Sequence, residues 1–375
     1  MRRAFKYRLY PNADEARELG IMLETHRRLY NAALAQRKDA WEKEKKAVYY
    51  GDQSAWYKKE RETNEFFART NFSSAQATLR RLEKSFQNFF RRVKGGEKPG
   101  YPRFKARDRY ESVEFPSYGD GIRLLGNRLR IQHVGRVKVK LHRPIEGEIK
   151  TVSLKHEGDH WYAVFSCDLG EILIPKSALP EAGIDVGLER FLTDSEGGFE
   201  ENPRYLKKEL PALRRAQRAV SRKKKGGKNR TKARRKVRRI HARVRNLRRE
   251  HHYQVSERLV HRYGFIAAER LSVSNMLKNR RLSRAISDAG WSRFLGILKH
   301  KAEKAGASVV EVDPRGTSQE CSGCGKEVRK DLSERLHSCP HCDLSLHRDH
   351  NAALNVLARA RRARTGPVGL NAAAG

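Results

Sequence analysis

The strongest constraint on the fold of this chain is a group of four cysteines near its C-terminal end. Cys321, Cys324, Cys339 and Cys342 form two C-x2-C pairs that are separated by fourteen residues. Each C-x2-C turn can present two thiolates to one ion, and four thiolates suit a tetrahedral structural zinc. Two disulfides, or four unrelated core cysteines, are the alternatives. Because the rest of the chain is typical of an intracellular protein, a structural zinc site is predicted at these four cysteines.

The charge of the chain indicates its partners. Lys and Arg number 81 against 44 Asp and Glu, a formal net charge of +37 over 375 residues. A protein this basic is expected to bind a polyanion. Nucleic acid fits better than a membrane, because no segment approaches about 18 consecutive apolar residues. The N-terminal residues 1–7 also lack the apolar core of a signal peptide. We therefore expect a cytoplasmic protein with reduced thiols and no membrane partner.

The first half of the chain changes from helical to strand patterns. Residues 4–10 alternate between apolar and polar side chains, which predicts a strand. Asn12 and Glu15 then form the pattern of a capping box at the start of a helix. Residues 12–94 are predicted to be mostly helical, and residues 103–170 to form a β-rich module or small barrel that the first strand could join.

A long basic segment follows in the second half. Between Arg214 and Arg249, 36 residues include 19 Lys and Arg and no Asp or Glu. Such a run is often only a solvated face or a disordered tail. Here the sequence on both sides of Gly226-Gly227 is compatible with helix, and after this pair Val237, Ile240, Val244, Leu247 and His251 recur at helical spacing, which predicts a helical hairpin with a basic tip. Phosphate contacts are expected at this tip, from Lys223, Lys224 and Lys225.

Three carboxylates stand out in the same half. Asp185 and Glu269 lie in short apolar strands, where an unpaired acid is unfavourable, and Asp349 lies at a predicted helix N-terminus. The order of these elements is strand with Asp, hairpin, helices, strand with Glu, helix, strand and helix with Asp. That order predicts an RNase H-like α/β fold with all three acids at one edge of the sheet.

Clustered carboxylates favour divalent cations. The three acids would repel one another unless cations bind between them, and hard oxygen ligands select Mg²⁺ or Mn²⁺. Two such ions can activate a water and stabilise the leaving oxygen of a phosphodiester. Each acid also has a simpler interpretation: Asp185 as a turn residue before Gly187, Glu269 as a partner of Arg270, and Asp349 as an N-cap.

Other catalytic patterns are weaker or missing from the sequence. Glu311 and Asp313 are rival carboxylates on the next predicted strand, and we rank them below the first three. No Ser-His-Asp or Cys-His arrangement is evident. No G-x4-G-K-[ST] segment is present either, so the sequence does not support an ATP-driven motor.

Seven segments together resemble one known family. They are residues 5–11 (FKYRLYP), 89–92 (FFRR), 99–105 (PGYPRFK), 183–187 (GIDVG), 269–271 (ERL), 312–321 (VDPRGTSQEC) and 349–353 (DHNAA). Through these motifs the chain resembles TnpB, the transposon-encoded RNA-guided nuclease that is related to type V CRISPR effectors. The resemblance covers nearly the whole chain, and the last two segments are its most specific parts. His350 departs from the family, which usually has Val after the final catalytic Asp.

The resemblance implies a multi-domain protein of α/β and β parts. A RuvC-like nuclease of the RNase H-like fold would carry the inserted zinc ribbon, beside a wedge β-barrel and a helical recognition lobe. The implied boundaries are 1–11 and 96–180 for the barrel, 12–95 for the lobe, 181–320 and 343–365 for the nuclease, 321–342 for the ribbon, and 366–375 for a disordered tail.

The resemblance also implies a function. It is that of an RNA-guided DNA endonuclease of a transposon, which cleaves target DNA by two-metal-ion hydrolysis next to a short transposon-adjacent motif. Asp185, Glu269 and Asp349 would hold Mg²⁺ or Mn²⁺, and the zinc would be structural. A guide RNA from the transposon end would pair with one strand of double-stranded target DNA, while the protein reads the flanking motif. A monomer acting at the nucleoid of a prokaryotic cell is expected.

Several residues are expected to touch nucleic acid. Gln76 aligns with a family position that contacts the flanking motif, although it could be an ordinary exposed helix residue. Besides the lysines of the basic tip, the other expected contacts are Arg91, Arg92, Arg103, Lys105 and Arg315. Two rival functions remain: an RNA-guided DNA-binding repressor without nuclease activity, for which a broken carboxylate triad is expected, and a DNA transposase that uses the same carboxylates.

Overall fold

The computed structural model describes residues 1–331 and 334–365, and it contains two compact units. The first unit is Met1–Ile172, and the second begins at Leu173. The tail predicted to be disordered, residues 366–375, lies outside the described residues. The expected domain boundaries, including the one at residue 180, remain predictions.

Seven strands of the first unit pair into one antiparallel sheet. They are β1 (Arg2–Tyr10), β2 (Ser112–Phe115), β3 (Ile122–Leu125), β4 (Arg128–Ile131), β5 (Gly135–Lys140), β6 (Glu148–Glu157) and β7 (His160–Asp168). The strand order is β2-β6-β7-β1-β5-β4-β3, which gives a nearly closed barrel. Phe5, Tyr7 and Leu9 of β1 are buried inside it. As predicted, the first strand joins the barrel, where it pairs with both β7 and β5.

The helices of the first unit lie between β1 and β2 in the chain. They are α1 (Ala13–Glu44), α2 (Tyr50–Thr63), α3 (Glu65–Ala68) and α4 (Phe72–Lys94). A short 3-10 helix, Arg107–Arg109, precedes β2. The predicted capping box begins α1: Asn12 Oδ1 accepts the amide of Glu15 at 2.8 Å, and Glu15 returns the bond to the Asn12 amide at 2.9 Å. Leu29, Tyr57 and Leu82 are fully buried where these helices pack together.

The second unit alternates strands and helices. Its elements are β8 (Glu181–Asp185), β9 (Arg190–Asp194), β10 (Phe199–Glu201), α5 (Tyr205–Ser221), α6 (Lys228–Arg262), β11 (Phe265–Glu269), α7 (Val273–Met276), α8 (Ser283–Ala289), α9 (Trp291–Lys304), β12 (Ser308–Val312), β13 (Leu336–Ser338), β14 (Ser345–His347) and α10 (Arg348–Thr365). Within the described residues, no helix is both long enough and apolar enough to cross a membrane.

Five strands of the second unit form its central sheet, in the order β10-β9-β8-β11-β12. The first three are antiparallel neighbours, whereas β8, β11 and β12 run parallel. This is the strand order of an RNase H-like fold, as the sequence predicted. Parallel register pairs Ile184 with Ala268, so the residues that follow, Asp185 and Glu269, both end their strands at the same edge.

Helices α5 and α6 form the predicted hairpin with a basic tip. The tip consists of residues 222–227, and its three lysines are exposed. The burial of α6 is uneven along its length: Val244, Val255 and Leu259 are buried, whereas the part near the tip exposes its charges. The apolar end of α6 therefore anchors the hairpin to the core, and the basic end extends away from that core.

Candidate active site and cysteine centre

The last residues of two parallel strands begin the candidate active site. Asp185 ends β8 and is partly buried, and Glu269 ends β11 and is 9% exposed. The neighbouring residues of both strands are apolar and buried, because this part of the sheet has helices packed against it. Two carboxylates are thereby held at the edge of a core that gives them little water.

Helix α10 carries the third carboxylate to the same edge. Asp349, 8% exposed, is the second residue of α10, so it lies inside the helix rather than at its N-cap. The helix crosses β8 at Gly183, where close approach requires a residue without a side chain. A methyl carbon on Gly183 would lie 2.0 Å from the Ala353 carbonyl oxygen and 2.7 Å from the Leu357 amide nitrogen.

The surroundings of Asp185 and Glu269 disfavour the ionised forms of both acids. Burial, followed by the charges of Glu269 and Asp349, raises the pKa of Asp185 well above its ordinary value, and the guanidinium of Arg348 opposes that rise. Burial also raises the pKa of Glu269. The two neighbouring acids therefore disfavour the ionised form of Asp185, as carboxylates do when they share a site without a cation. Hard, divalent cations would relieve this repulsion, so the donor set fits Mg²⁺ or Mn²⁺.

A buried threonine holds Glu269. The hydroxyl oxygen of Thr317 lies 2.5 Å from Glu269 Oε1 and 2.9 Å from the carbonyl oxygen of Pro314. The hydrogen bond from Thr317 and the charge of Arg359 oppose the rise in the Glu269 pKa. The pairing of Glu269 with Arg270 that the sequence allowed is wrong, because the Arg270 guanidinium donates instead to the Glu311 carbonyl, at 3.4 Å. Thr317 lies within the segment 312–321, but its local sequence does not predict this contact.

Two histidines flank Asp349. His347 Nδ1 is 3.8 Å from Asp349 Oδ2 and accepts the amide of Asp349 at 3.2 Å. His350 Nε2 lies 3.2 Å from the Ser195 carbonyl oxygen, and a methyl carbon on Gly197 would be 3.2 Å from the His350 ring. His350 thus fastens the start of α10 to the turn between β9 and β10.

The four cysteines converge into one centre. Their sulfur atoms all lie within 4.8 Å of one another, and Cys321–Cys342 and Cys324–Cys339 are each 3.6 Å apart. All four are free thiols, so the disulfide alternative is wrong. Gly323 lies against this centre, since a methyl carbon there would be 3.4 Å from the sulfur of Cys342 and 3.8 Å from that of Cys321. Four converging sulfurs fit a zinc ion with a closed, tetrahedral ligand set.

The thiols also influence one another's protonation. Burial works to raise the pKa of Cys339, but hydrogen bonds from the His341 amide and the other three thiols lower it to about 7. The hydrogen bond from the Leu344 amide lowers the pKa of Cys342, but burial and the neighbouring thiols outweigh it and raise this pKa to about 12. The protonation of each sulfur therefore depends on burial and on its neighbouring thiols.

Among the described residues, the cysteine quartet is the one group of three or more His, Cys, Asp or Glu side chains whose ligand atoms all lie close enough to hold one metal ion. The three carboxylates are brought together by the register of β8 with β11 and by the charges of Glu269 and Asp349 acting on Asp185.

One face of α10 joins the cysteine centre to the carboxylate site. Asn351 Oδ1 accepts the amide of Ser322 at 2.9 Å, and its Nδ2 donates to the Glu320 carbonyl at 2.7 Å. One turn later, Asn355 Nδ2 donates to the carbonyls of Glu320 and Thr317, at 2.6 and 2.9 Å. Both asparagines are buried. The helix that carries Asp349 therefore fixes both the first cysteine turn and the residue that holds Glu269.

The predicted nucleic-acid residues have different surroundings. Gln76 is 5% exposed: its Oε1 accepts from the hydroxyl of Tyr50 at 2.8 Å, and its Nε2 has no partner, so the exposed-helix interpretation is wrong. Lys105 is half-buried, and its backbone amide donates to Asn31 at 2.8 Å. The other predicted residues are exposed: Arg91, Arg92, Arg103, Lys223, Lys224, Lys225 and Arg315. Their contacts with nucleic acid, and that of Gln76, remain predictions.

Three family models match separate parts of the chain. OrfB_IS605, described as "Probable transposase", matches residues 165–280. "Cas12f1-like, TNB domain" matches residues 291–356, which include the cysteine quartet. A model described as "Helix-turn-helix domain" matches residues 1–46. That last segment here consists of strand β1 followed by the single long helix α1.

Relatives and solved structures align over almost the full chain. Proteins of Streptomyces pristinaespiralis and Escherichia coli K12, both named "Putative RNA-guided DNA endonuclease" (the second with the designation InsQ), are 35% and 28% identical. These alignments cover 96% and 95% of this chain, and 89% and 91% of the relatives. A solved structure of "the mini-RNA-guided endonuclease CRISPR-Cas_phi3" is 9% identical with a TM-score of 0.49, covering 96% of this chain and 92% of that one.

Strand order and site together define the class of this protein. It is an RNase H-like protein with three carboxylates at one sheet edge and a four-cysteine insertion before its last helix. The 35% identity with the Streptomyces relative, over nearly the whole of both chains, identifies the family. The chain belongs to the TnpB family.

Proposed function

We propose that this protein is an RNA-guided DNA endonuclease, which hydrolyses phosphodiesters of target DNA next to a short transposon-adjacent motif. The observation that carries the proposal is the convergence of Asp185, Glu269 and Asp349 at one sheet edge, where the first two have raised pKa values. The names of the two bacterial relatives support the reaction class. All three acids are kept in this chain, which disfavours a repressor without nuclease activity.

The carboxylates hold the catalytic cations in this proposal. Asp185 and Glu269 supply oxygen ligands from the rigid ends of β8 and β11, and Asp349 supplies one from α10. When bound, two divalent ions would generate a hydroxide from water and stabilise the charge of the leaving oxygen. The hydroxyl of Thr317 orients Glu269, and burial of the site keeps competing water away from the carboxylates.

The cysteine centre has a structural role in the proposal. Four thiolates fill the tetrahedral positions of a zinc ion, so no open position is left for a reacting molecule. About one zinc per chain is expected from elemental analysis of the purified protein. Zinc-free protein that remains fully folded would contradict this role.

RNA and DNA are the proposed partners. A net charge of +37 and a lysine-rich tip supply phosphate contacts without reading sequence. Sequence is read by pairing between the target strand and a guide RNA from the transposon end, while the protein recognises the flanking motif. One copy of the chain is proposed to act on double-stranded target DNA.

The test is a cleavage assay with the protein and the RNA that purifies with it. Sequencing that RNA gives the guide, and a plasmid library with a matching target and randomised flanks gives the motif. Cutting that requires both the matching target and Mg²⁺, and that stops after the RNA is digested, supports the proposal. Cutting that is independent of the RNA would overturn it.

A transposase is the second candidate, favoured by the description "Probable transposase" of the matching family model. Both reactions use carboxylate-bound metals, but their products differ. A transposase joins a DNA 3′ end to a target strand, whereas hydrolysis leaves free ends. Sequencing the product ends of the same assay separates the two candidates.

A further inference from the structure

A cluster of exposed aromatic rings lies at the C-terminal end of α4. Phe90 is 60% exposed and Tyr101 43% exposed, and both contact Phe89, with ring centroids 5.2 and 5.3 Å apart. We name Phe89, Phe90 and Tyr101 the aromatic patch. A group of exposed apolar rings on a soluble surface indicates a binding site.

The patch rests on a rigid base. Phe86 is buried beneath it and contacts Phe90 and Tyr101, with ring centroids 6.4 and 5.6 Å apart. The guanidinium of Arg37 lies 4.9 Å from the centre of the Phe86 ring and donates to Glu83 at 2.6 Å. Because the rings are supported from below, their exposed faces can receive a flat ligand without rearrangement of the unit.

Cations surround the patch on its own segment. Residues 91–105 contain six Lys and Arg and one acid, Glu97. Glu97 lies 3.3 Å from the guanidinium of Arg91 and 3.8 Å from that of Arg92, with all three side chains about half exposed or more. Exposed ion pairs of this kind contribute about 0–1 kcal/mol, so a phosphate can replace the carboxylate. Tyr101 itself is influenced by another acid: burial and the negative charge of Glu42 both raise its pKa.

We propose that the aromatic patch binds unpaired nucleobases of a single-stranded nucleic acid by stacking, with Arg91 and Arg92 on the adjacent phosphates. Aromatic rings beside cations are the common way in which proteins bind single strands, because every base has a stacking face. A base-paired duplex hides those faces. A second copy of this chain would bring the same excess of cations against it. This inference rests on the proposed function in one respect: both take nucleic acid as the partner of the protein.

Fluorescence of 2-aminopurine tests the stacking directly. This base loses emission when it stacks, so short RNA and DNA single strands that carry it are titrated with the full-length protein at a salt concentration that screens phosphate contacts. We expect quenching by the wild type, and affinity about 5- to 100-fold weaker for Phe90→Ala, in line with the loss of one stacked base. Phe90→Trp should retain quenching, whereas Phe90→Leu should lose it. The same probe within a duplex should not be quenched.

Two controls distinguish base stacking from general apolar contact and from self-association. Leu125→Ala removes another exposed apolar side chain of the same unit and should leave quenching unchanged. Equal quenching by the wild type and Phe90→Ala, or full retention by Phe90→Leu, would overturn the proposal. So would a dimer in sedimentation that Phe90→Ala dissociates, because the patch would then bind a second copy. Comparing the RNA and DNA probes shows whether single-stranded RNA or single-stranded DNA is bound more tightly.

A charge substitution tests the phosphate contacts. Glu97→Gln frees Arg91 and Arg92 and should tighten single-strand binding several-fold at low salt. Glu148→Gln makes the same change in net charge at an exposed position of the barrel and should have a smaller effect. Equal effects of the two substitutions would show a general charge effect and contradict these contacts. All of these readouts measure binding alone, so they stand or fail independently of DNA cleavage.

Discussion

The hydroxyl of Thr317 lies 2.5 Å from Oε1 of Glu269, although 48 residues separate them in the chain. A hydroxyl has one hydrogen, and the Thr317 oxygen also faces the carbonyl of Pro314 at 2.9 Å. When Glu269 is ionised, the hydrogen favours the carboxylate, because hydrogen bonds to charged groups are the stronger ones. When Glu269 is protonated, the carboxyl can donate to Thr317 and the hydroxyl can turn to Pro314. The Thr317 hydroxyl can therefore form a hydrogen bond with Glu269 whether that carboxyl group is ionised or protonated.

Replacing Thr317 by Val should weaken the site without changing its shape. The hydroxyl lowers the pKa of Glu269, so its removal raises that pKa further. Because Glu269 must be ionised to bind a cation, the acidic limb of the pH–rate profile should move to higher pH. Loss of a hydrogen bond to a charged group costs about 1.5–3 kcal/mol, which predicts a cleavage rate roughly 10- to 150-fold lower. Thr317→Ser should restore both rate and profile; an unshifted profile in the Val variant would contradict the role.

Gly183→Ala should separate α10 from β8. The added methyl would meet the backbone of Ala353 at 2.0 Å, so the helix that carries Asp349 has to move. Overpacking of this kind is typically destabilising by about 1–3 kcal/mol, measurable as a lower urea midpoint. Gly20→Ala is the matched control, because nothing lies within 4 Å of that site in α1, and alanine should stabilise the helix there. Equal midpoints for Gly183→Ala and wild type would contradict the packing described.

Asn355→Ala should weaken divalent-ion binding although Asn355 is not proposed as a ligand. Its amide holds the carbonyls of Thr317 and Glu320, so its loss frees the segment that positions Glu269. Substitutions of outer partners typically lower metal affinity or activity about 10- to 100-fold. Magnesium titration followed by thermal shift measures this effect. Arg361 lies on the same helix as Asn355, and Arg361→Ala removes only an exposed contact to Glu181 of β8, so this variant should bind magnesium as the wild type does. The same loss of magnesium affinity in both variants would exclude a specific effect of Asn355.

Replacing Lys223, Lys224 and Lys225 by Ala should change the salt dependence of DNA binding. Each phosphate contact contributes about 0.7–0.9 to the slope of log affinity against log salt, so the slope should flatten by roughly 2 to 3. The loss of binding affinity should be similar for unrelated DNA sequences, because phosphate contacts carry no sequence information.

The matched control for the tip is a triple Ala variant of Lys43, Lys45 and Lys46, which are exposed lysines at and just beyond the end of α1. Two nearby acids, Glu42 and Glu44, reduce the local positive charge there. A slope change as large as that of the tip variant would mean that the tip makes no special contribution.

Much of the fold could be predicted from local sequence patterns. Apolar strands with one acid each predicted β8 and β11, and their order predicted the RNase H-like sheet. The capping box at Asn12 marked the start of α1 to the residue. These features depend on neighbours in the chain, which is why sequence alone was sufficient for them.

The features that sequence missed depend on contacts between distant segments. Nothing local distinguishes Thr317 from an ordinary turn residue, or Gly183 from a flexible glycine of the strand. Asn351 and Asn355 share a helix face by their spacing, but their function became evident only when the loop before Cys321 was seen against that face. The burial of Gln76 likewise results from Tyr50, which reaches it from another helix.

The most direct test of the central claim is cleavage of a guide-matched plasmid by Asp185→Ala and by Asp313→Asn, each with its co-purified RNA and Mg²⁺. Asp185 lies beside Glu269 and Asp349, whose charges raise its pKa, whereas Asp313 is the exposed rival that follows β12. The proposed site predicts that Asp185→Ala still binds RNA and target but no longer cuts, and that Asp313→Asn cuts as the wild type does. Target cutting by Asp185→Ala would contradict the site and the mechanism built on it.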